Sequence, residues 1–465
     1  MPGLPVSPRS PHRFLINRDY ARLWYGQAIS SVGDYVFSTT LVLWVADVLT
    51  RGKPWGPAAV SGVLLAVGAA VLFVGPLAGV FVDRWDALRT MLGTEVIRGL
   101  LVAVLVLVSL LPVDALPIGV WLALIYVVVF LLHATGQFFG PARLTIIREI
   151  VTGEADRARA AGIAQATAGT AAIIGPPLAA PLLFNAGLQW ALLVNVISYA
   201  VSYLAIRTIR PVPQDGQREA AGPRPGLFAE FVAGLRFFGG SRFLVALVSV
   251  AVIGQCGMGA LNTLNVFFLT GNLNAPADLY GYLGTAMGVG GIIGALCAGR
   301  IVQWIGARTT AWIGLVLGGV LLIGYSRQSV FLVGLVVLFL FMVPITMLNT
   351  ALTPLLLAAA PKEYLGRVMA VFYPCTQLAS MVAASTSGWL ASSVLRDLTG
   401  SLGGLRFGPI DTILTAAGTL IVIAGIYAWI VLPSAATDEQ AAPASSGAEE
   451  ATGASASEPG GLGRG

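Results

Sequence analysis

Apolar runs of membrane-crossing length alternate with short polar breaks along almost the whole chain. They fall near 20–48, 56–82, 90–111, 117–140, 156–184 and 189–206, then near 242–270, 279–304, 309–326, 329–358, 366–394 and 411–432. Each is near or above the roughly 20 residues a helix needs to cross a hydrocarbon core. The pattern predicts twelve helices in two sets of six, separated by a stretch rich in Pro, Gly, Arg and Gln. Polar residues inside the runs repeat between the sets. Gln27 and Asp34 lie seven residues apart in the first run, and Gln255 and Asn262 lie seven apart in the seventh. A Gly precedes each Gln (Gly26, Gly254). Seven residues is two turns, so each pair projects from one helix face. Polar groups persist in hydrocarbon mainly where they face a cavity or a partner helix, and a duplicated bundle with matching polar faces has the design of a transporter.

Composition strengthens this picture. The chain has 465 residues, 56% hydrophobic and 11% charged, with a mean hydropathy of +0.82, against about 25% charge in a soluble domain. The expected fold is an all-α polytopic membrane protein of twelve transmembrane helices in two pseudo-symmetric halves. Residues 1–18 form an N-terminal segment, 19–206 the first half, 207–240 a connector, 241–432 the second half and 433–465 a low-complexity tail read as disordered. Within the connector, Leu227, Phe228, Phe231, Leu235 and Phe238 recur at helical spacing and predict a short helix on the membrane surface. Lys and Arg concentrate on one side of the predicted topology, leaving on the other only Arg51, Lys53, Arg327, Arg396 and Arg406, while Arg98 lies within a span. That bias places both termini in the cytoplasm. The pI of about 9.2 then reflects inward-facing arginines and not nucleic-acid binding. Residues 1–18 hold no apolar run of a secretory leader.

Soluble-enzyme chemistry finds no foothold. The two lysines, Lys53 and Lys362, sit in no G-x-x-x-x-G-K-[ST] loop, and no H-E-x-x-H or nucleophile-elbow pattern occurs. No cofactor is expected, and transport would run downhill or on a proton gradient. Cys256, Cys297 and Cys375 lie inside predicted helices with no metal-ligand spacing.

The candidate chemistry lies within the spans. Gln27, Ser31, Asp34 and Ser38 form one stripe at i, i+4, i+7 and i+11, with Asp34 about 21 Å into the helix at 1.5 Å per residue. A carboxyl at that depth could load and release protons, so Asp34 is the first coupling candidate. Glu95 and Arg98, at i and i+3, are expected to pair on one face. His133 and Gln137 share a face, with His133 a further proton-carrying candidate. Asn349 and Thr353, Tyr373 and Gln377 join Gln255 and Asn262 as the opposite wall of a path. Gly79 precedes Asp83 and Arg84 by one turn at the exit of the second run, where a neighbouring helix could approach the loop.

Gly79-Val80-Phe81-Val82-Asp83-Arg84 resembles the signature loop of the major facilitator superfamily, G-x-x-x-D-R, although Trp85-Asp86-Ala87-Leu88 departs from its continuation. The resemblance implies a conformational latch at Gly79, Asp83 and Arg84. The opening 17–34, with Asn17-Arg18-Asp19-Tyr20 and Ser30-Ser31-Val32-Gly33-Asp34, and Phe138-Phe139-Gly140-Pro141-Ala142-Arg143 are similar to the macrolide-efflux and siderophore-exporter branch. Gly169 with Gly175-Pro176-Pro177-Leu178 resembles the antiporter motif of the fifth helix, with Ala179 and Ala180 where glycines are usual. What this implies is a bacterial inner-membrane exporter of amphiphilic small molecules, working by proton antiport and alternating access, with a small-molecule substrate and the lipid bilayer as its partners and a monomer as its state. Solute uptake or lysophospholipid transport, and a non-transporting scaffold or sensor, are the alternatives.

Overall fold

The computed structural model describes residues 15–82, 84–210, 242–359, 365–402 and 405–431. Asp83, the surface helix expected at 227–240 and the tail from 433 lie outside the described residues. The apolar runs fold as helices. Eleven helices among the described residues are long and apolar enough to cross a bilayer: Arg18–Leu49, Gly56–Gly79, Ala87–Val108, Ile118–Ile150, Glu154–Ala186, Leu188–Ile206, Phe243–Gly271, Ala277–Ile305, Ala307–Ser326, Phe331–Leu356 and Pro409–Val431. With Leu365–Ser392, a 28-residue helix packed among them, they are numbered here spans 1 to 12 in chain order.

Local chemistry sets the ends. Asn17 Oδ1 accepts the Tyr20 amide at 2.7 Å and Asp86 Oδ1 the Arg89 amide at 2.7 Å, capping spans 1 and 3. Spans 5 and 6, and spans 8 and 9, are each separated by a single glycine in the left-handed region, Gly187 at φ 106° and Gly306 at φ 81°. Three spans contain a π-helical stretch: Trp44–Leu49 in span 1, Ala70–Val74 in span 2 and Leu182–Ala186 in span 5.

Two features differ from the apolar pattern. Span 4 does not stop near 140 but runs through Pro141 to Ile150. A proline inside a helix forfeits one hydrogen bond, and here burial of Phe139, Ala142 and Ile146 against Leu23, Met91 and Ile206 holds the helix on course. A two-stranded antiparallel hairpin, Gly400–Leu402 with Leu405–Phe407, precedes span 12. Arg327 fixes its base: the guanidinium lies 4.8 Å from the Phe407 ring and pairs with Asp411 at 3.4 Å.

The packing repeats. Span 1 packs on spans 5 and 6 as span 7 packs on spans 11 and 12; span 3 lies on 4 and 6 as span 9 lies on 10 and 12. The halves meet chiefly through two related pairs, spans 2 with 11 and spans 5 with 8, with a lesser contact between spans 2 and 7. Span 1 begins and span 12 closes at one end, that of the termini, and both pairs pack closely at the opposite end. There the Ala58 amide donates to Ser392 Oγ at 3.0 Å and Thr285 Oγ1 to the Ile173 carbonyl at 2.8 Å. A Cβ on Gly388 would lie 2.7 Å from the Pro57 carbonyl oxygen, and one on Gly281 2.7 Å from Pro177 Cα. At the other end of the 5–8 pair, a Cβ on Gly162 or Gly299 would meet nothing within 4 Å. The halves are therefore sealed at the far end and splayed at the end that carries the termini.

Inside the second half, spans 9 and 12 touch backbone to backbone. A Cβ on Gly418 would lie 2.8 Å from Gly319 O, and one on Gly319 2.6 Å from Gly418 O. Small residues permit such approach between membrane helices. Gly418→Leu is expected to cost about 1–3 kcal/mol through overpacking, read as a lowered unfolding midpoint in detergent. Gly93→Leu, at a position with no atom within 4 Å of a built Cβ, is the control and leaves the midpoint unchanged.

Candidate functional site

Asp34 is the hub of a polar cluster drawn from spans 1, 3 and 6. Its carboxylate accepts from Arg98 Nη2 at 3.0 Å on both oxygens and from the Tyr199 hydroxyl at 2.5 Å. The Arg98 guanidinium lies 4.3 Å from the centre of the Tyr199 ring, a cation–π contact. Asn195 Nδ2 donates to the Tyr199 hydroxyl at 3.3 Å, and Ser198 Oγ to Asn195 Oδ1 at 3.0 Å. The Asp34 side chain remains 37% exposed while Arg98 is 13% exposed. The acid thus looks into open space with its cation behind it.

The expected pairing of Glu95 with Arg98 does not form. Arg98 crosses to Asp34 instead, where two carboxylate oxygens and an aromatic face receive the guanidinium together, which a neighbour one turn away on the same helix does not offer. Glu95, 1% exposed, turns to span 6 and accepts from Ser202 Oγ at 2.9 Å. Its Oε2 is buried with no hydrogen-bond partner among the described residues, as is Arg98 Nε. Gln27 Nε2 reaches the same Ser202 hydroxyl at 3.4 Å. A chain of polar contacts therefore links Gln27, Ser202 and Glu95, one turn from the Asp34–Arg98 pair.

Asp34, Ser38, Arg98, His133 and Gln137 line one cavity of about 210 Å³, with Phe37, Leu132 and Gly136. His133 Nδ1 is hydrogen-bonded to the Val129 carbonyl at 3.0 Å, which leaves Nε2 as its second site, and Gln137 Nε2 donates to the His133 carbonyl at 3.3 Å. Gln27 and Ser31 line a different cavity, so the polar stripe of span 1 serves two spaces. In the second half, Asn262, Asn349 and Tyr373 are exposed on their helices and Gln255 is half-buried. Gln377 Nε2 lies 3.1 Å from where a Cβ on Gly68 would sit, facing span 2 across the junction of the halves. Thr353 is on the backbone of span 10, its side chain outside the described residues.

Of the latch candidates, Arg84 is exposed and a Cβ on Gly79 would meet nothing within 4 Å. Beside them Trp85 stacks on Phe138 of span 4 at 5.7 Å. The fifth-span motif sits at the joint: a Cβ on Gly175 would lie 3.2 Å from Val32 O of span 1, and one on Gly169 3.1 Å from Ile292 of span 8. Gly281 approaches Pro176 and Pro177. These small residues and prolines let span 5 touch span 1 and the opposite half at once.

The pattern of residues missed the span 6 contribution. Asn195, Ser198, Tyr199 and Ser202 recur at helical spacing in an otherwise apolar run, a signal available in the sequence. Groups of three or more His, Cys, Asp or Glu able to hold a metal are absent among the described residues.

The family model described as Major Facilitator Superfamily matches residues 23–384. A protein from Bacillus amyloliquefaciens described as a putative bacilysin exporter is 27% identical over 286 residues, 59% of this chain and 64% of its own length. The match thus spans under two thirds of that relative. Macrolide efflux protein A of Streptococcus pyogenes is 23% identical over 380 residues, 80% of this chain and 89% of its own. Among solved structures, a point mutant of the nucleoside transporter NupG aligns with a TM-score of 0.71 at 12% identity, over 90% of this chain and all of its own. A bacterial homologue of the iron transporter ferroportin, in an inward-facing state, aligns with a TM-score of 0.66 at 14% identity, over 89% and 98%.

Proposed function

The chain belongs to the major facilitator superfamily, and from that premise we propose that it exports amphiphilic small molecules from a bacterial cytoplasm in exchange for protons. The observation that carries the reading is Asp34, a carboxylate open to a cavity inside the membrane and tied to Arg98 and Tyr199. Proton uptake removes the charge that holds Arg98 in place. The freed guanidinium can then turn to Glu95 on its own helix, whose Oε2 is an unfilled acceptor. One ion pair replaces another, and the cluster joining spans 1, 3 and 6 loosens and reforms with each proton.

The splayed end lies with the termini, which the Arg and Lys bias puts in the cytoplasm. Cargo enters there while the 2–11 and 5–8 seams stay shut. Rocking of the halves closes the entrance and opens the seams, the alternating access of two packed repeats. The driving force is adequate: one proton moving down about 100 mV supplies roughly 2.3 kcal/mol, and each pH unit adds about 1.4 kcal/mol. Relatives named for bacilysin and macrolide efflux support export over uptake.

The test is proton release from energised everted vesicles on addition of macrolides, a siderophore, a small peptide antibiotic and cationic dyes. At least one compound is expected to discharge the pH gradient in vesicles with the chain and not in those without it. Silence across the panel with folded protein present overturns proton antiport of this substrate class.

A further inference from the structure

A cavity of about 410 Å³ opens between spans 1, 4 and 5 at the end that carries the termini, apart from the Asp34 cavity. Its charged lining is one-sided: Arg143, Arg148 and Arg157, with no carboxylate among its lining residues. Arg157 is committed to the fold, donating from Nε to the Val151 carbonyl at 2.9 Å and from Nη2 to the Arg148 carbonyl at 3.1 Å. Arg143 is not. Among the described residues its Nη1 meets only Gln27 Oε1, at 3.4 Å, and its Nε is buried without a hydrogen-bond partner. No ion pair within 4.0 Å involves Arg143, Arg148 or Arg157 among the described residues. A guanidinium withdrawn from water without a counter-charge is costly, and an anion placed beside it removes that cost through a charge-assisted pair of bidentate geometry.

The surrounding wall is built to stay in place. The Tyr20 hydroxyl donates to the Ala160 carbonyl at 3.0 Å, and Trp24 Nε1 to Thr167 Oγ1 at 2.8 Å, pinning span 1 to span 5. Leu144, Ile147 and Ala164 continue the lining as apolar surface.

We propose that this cavity is a binding site for the anionic head, a carboxylate or phosphate, of an amphiphile whose apolar body lies along spans 4 and 5. The head pairs with Arg143 and is drawn in by Arg148 at the rim. The inference deepens the export reading, on which it rests for taking cargo from the splayed end: the substrates are acids, not cations. The same head chemistry occurs on anionic lipids of the facing leaflet, and the experiment separates the two sources.

Binding is measured by fluorescence anisotropy on the full chain in phosphatidylcholine nanodiscs, without a proton gradient, using dansylglycine and its uncharged amide. Wild type is expected to hold the acid at least about tenfold tighter than the amide, a difference of about 1.4 kcal/mol. Arg143→Gln should bring the two within about twofold while leaving the amide's affinity unchanged, which also reports an intact pocket. Arg143→Lys, keeping the charge, should retain part of the preference. Adding phosphatidylglycerol then assigns the source: weakened dansylglycine binding means the lipid head competes for the site, and unchanged binding means soluble acids own it. Equal affinities in wild type, no saturable binding of the acid, or a preference that survives Arg143→Gln overturns the proposal. Because no gradient is used, that failure leaves proton-driven export standing, while a failed vesicle assay beside a positive binding assay removes export and keeps the site.

Discussion

Asp34→Asn is expected to abolish substrate-induced proton release while the protein still inserts and folds. Asparagine keeps the shape and one carbonyl oxygen, so Tyr199 can still donate where it now meets Oδ1 at 2.5 Å. It loses the charge that receives Arg98 on two oxygens at 3.0 Å, and it cannot take up a proton in the working range. Hydrogen bonds to a charged group contribute about 1.5–3 kcal/mol each. The side chain is 37% exposed, so the stability cost stays near the low end, a shift of a few degrees in the unfolding midpoint. If Asp34 carries the proton as proposed, transport should fall by about a hundredfold or more, because its loss ends the exchange and does not merely weaken it. Glu95→Gln makes the contrast: the Ser202 bond to Oε1 survives, and counterflow of cargo without a gradient should persist while proton-driven export fails. Full proton release by Asp34→Asn would move the coupling step to Glu95 and His133.

A disulfide across the sealed end should stop the protein completely and reversibly. With Cys256, Cys297 and Cys375 replaced by serine, Ala58→Cys with Ser392→Cys puts one thiol on each of two facing helices, at the point where the Ala58 backbone amide donates to Ser392 Oγ at 3.0 Å. Oxidation should link spans 2 and 11, hold the halves splayed toward the termini, and reduce export to background, with dithiothreitol restoring it. Either single cysteine alone should transport normally under oxidant. If the linked protein still exports, the seam between spans 2 and 11 does not open during transport and rocking of the halves is wrong.

The number and order of spans follow from the length of the apolar runs, because a helix in lipid must satisfy its own backbone and has little choice of form. Asp34, Ser38 and Gln137 share a cavity for a reason also visible in the sequence: a carboxylate or amide in such a run needs a wet face. What the pattern could not supply was partners across helices. Arg98 reads as a neighbour of Glu95 because i, i+3 is the only distance a sequence displays, whereas the contact it makes spans 64 positions. Tyr199 and Ser202 carry no formal charge and read as ordinary helix contacts, yet they complete the site of both acids. Pro141 reads as a helix end, but buried side chains on either side of it decide otherwise. The hairpin before span 12 is held by Arg327 from a different span, a contact no local signal announces.

The π-helical stretches bear on how the two repeats should be compared. A π turn takes up an additional residue without lengthening the helix correspondingly, so every side chain beyond it is rotated by roughly 100° against an uninterrupted α-helix. Gln27 and Asp34 come before the one in span 1, which is why their spacing still matches Gln255 and Asn262. Span 2 carries its own at Ala70–Val74, whereas its counterpart, span 8, is α-helical throughout Tyr280–Ile305. An ungapped alignment of those two helices therefore goes out of phase partway along. Side chains of span 2 beyond Ala70–Val74, Gly79 among them, therefore sit on a different face from those at the same count along span 8.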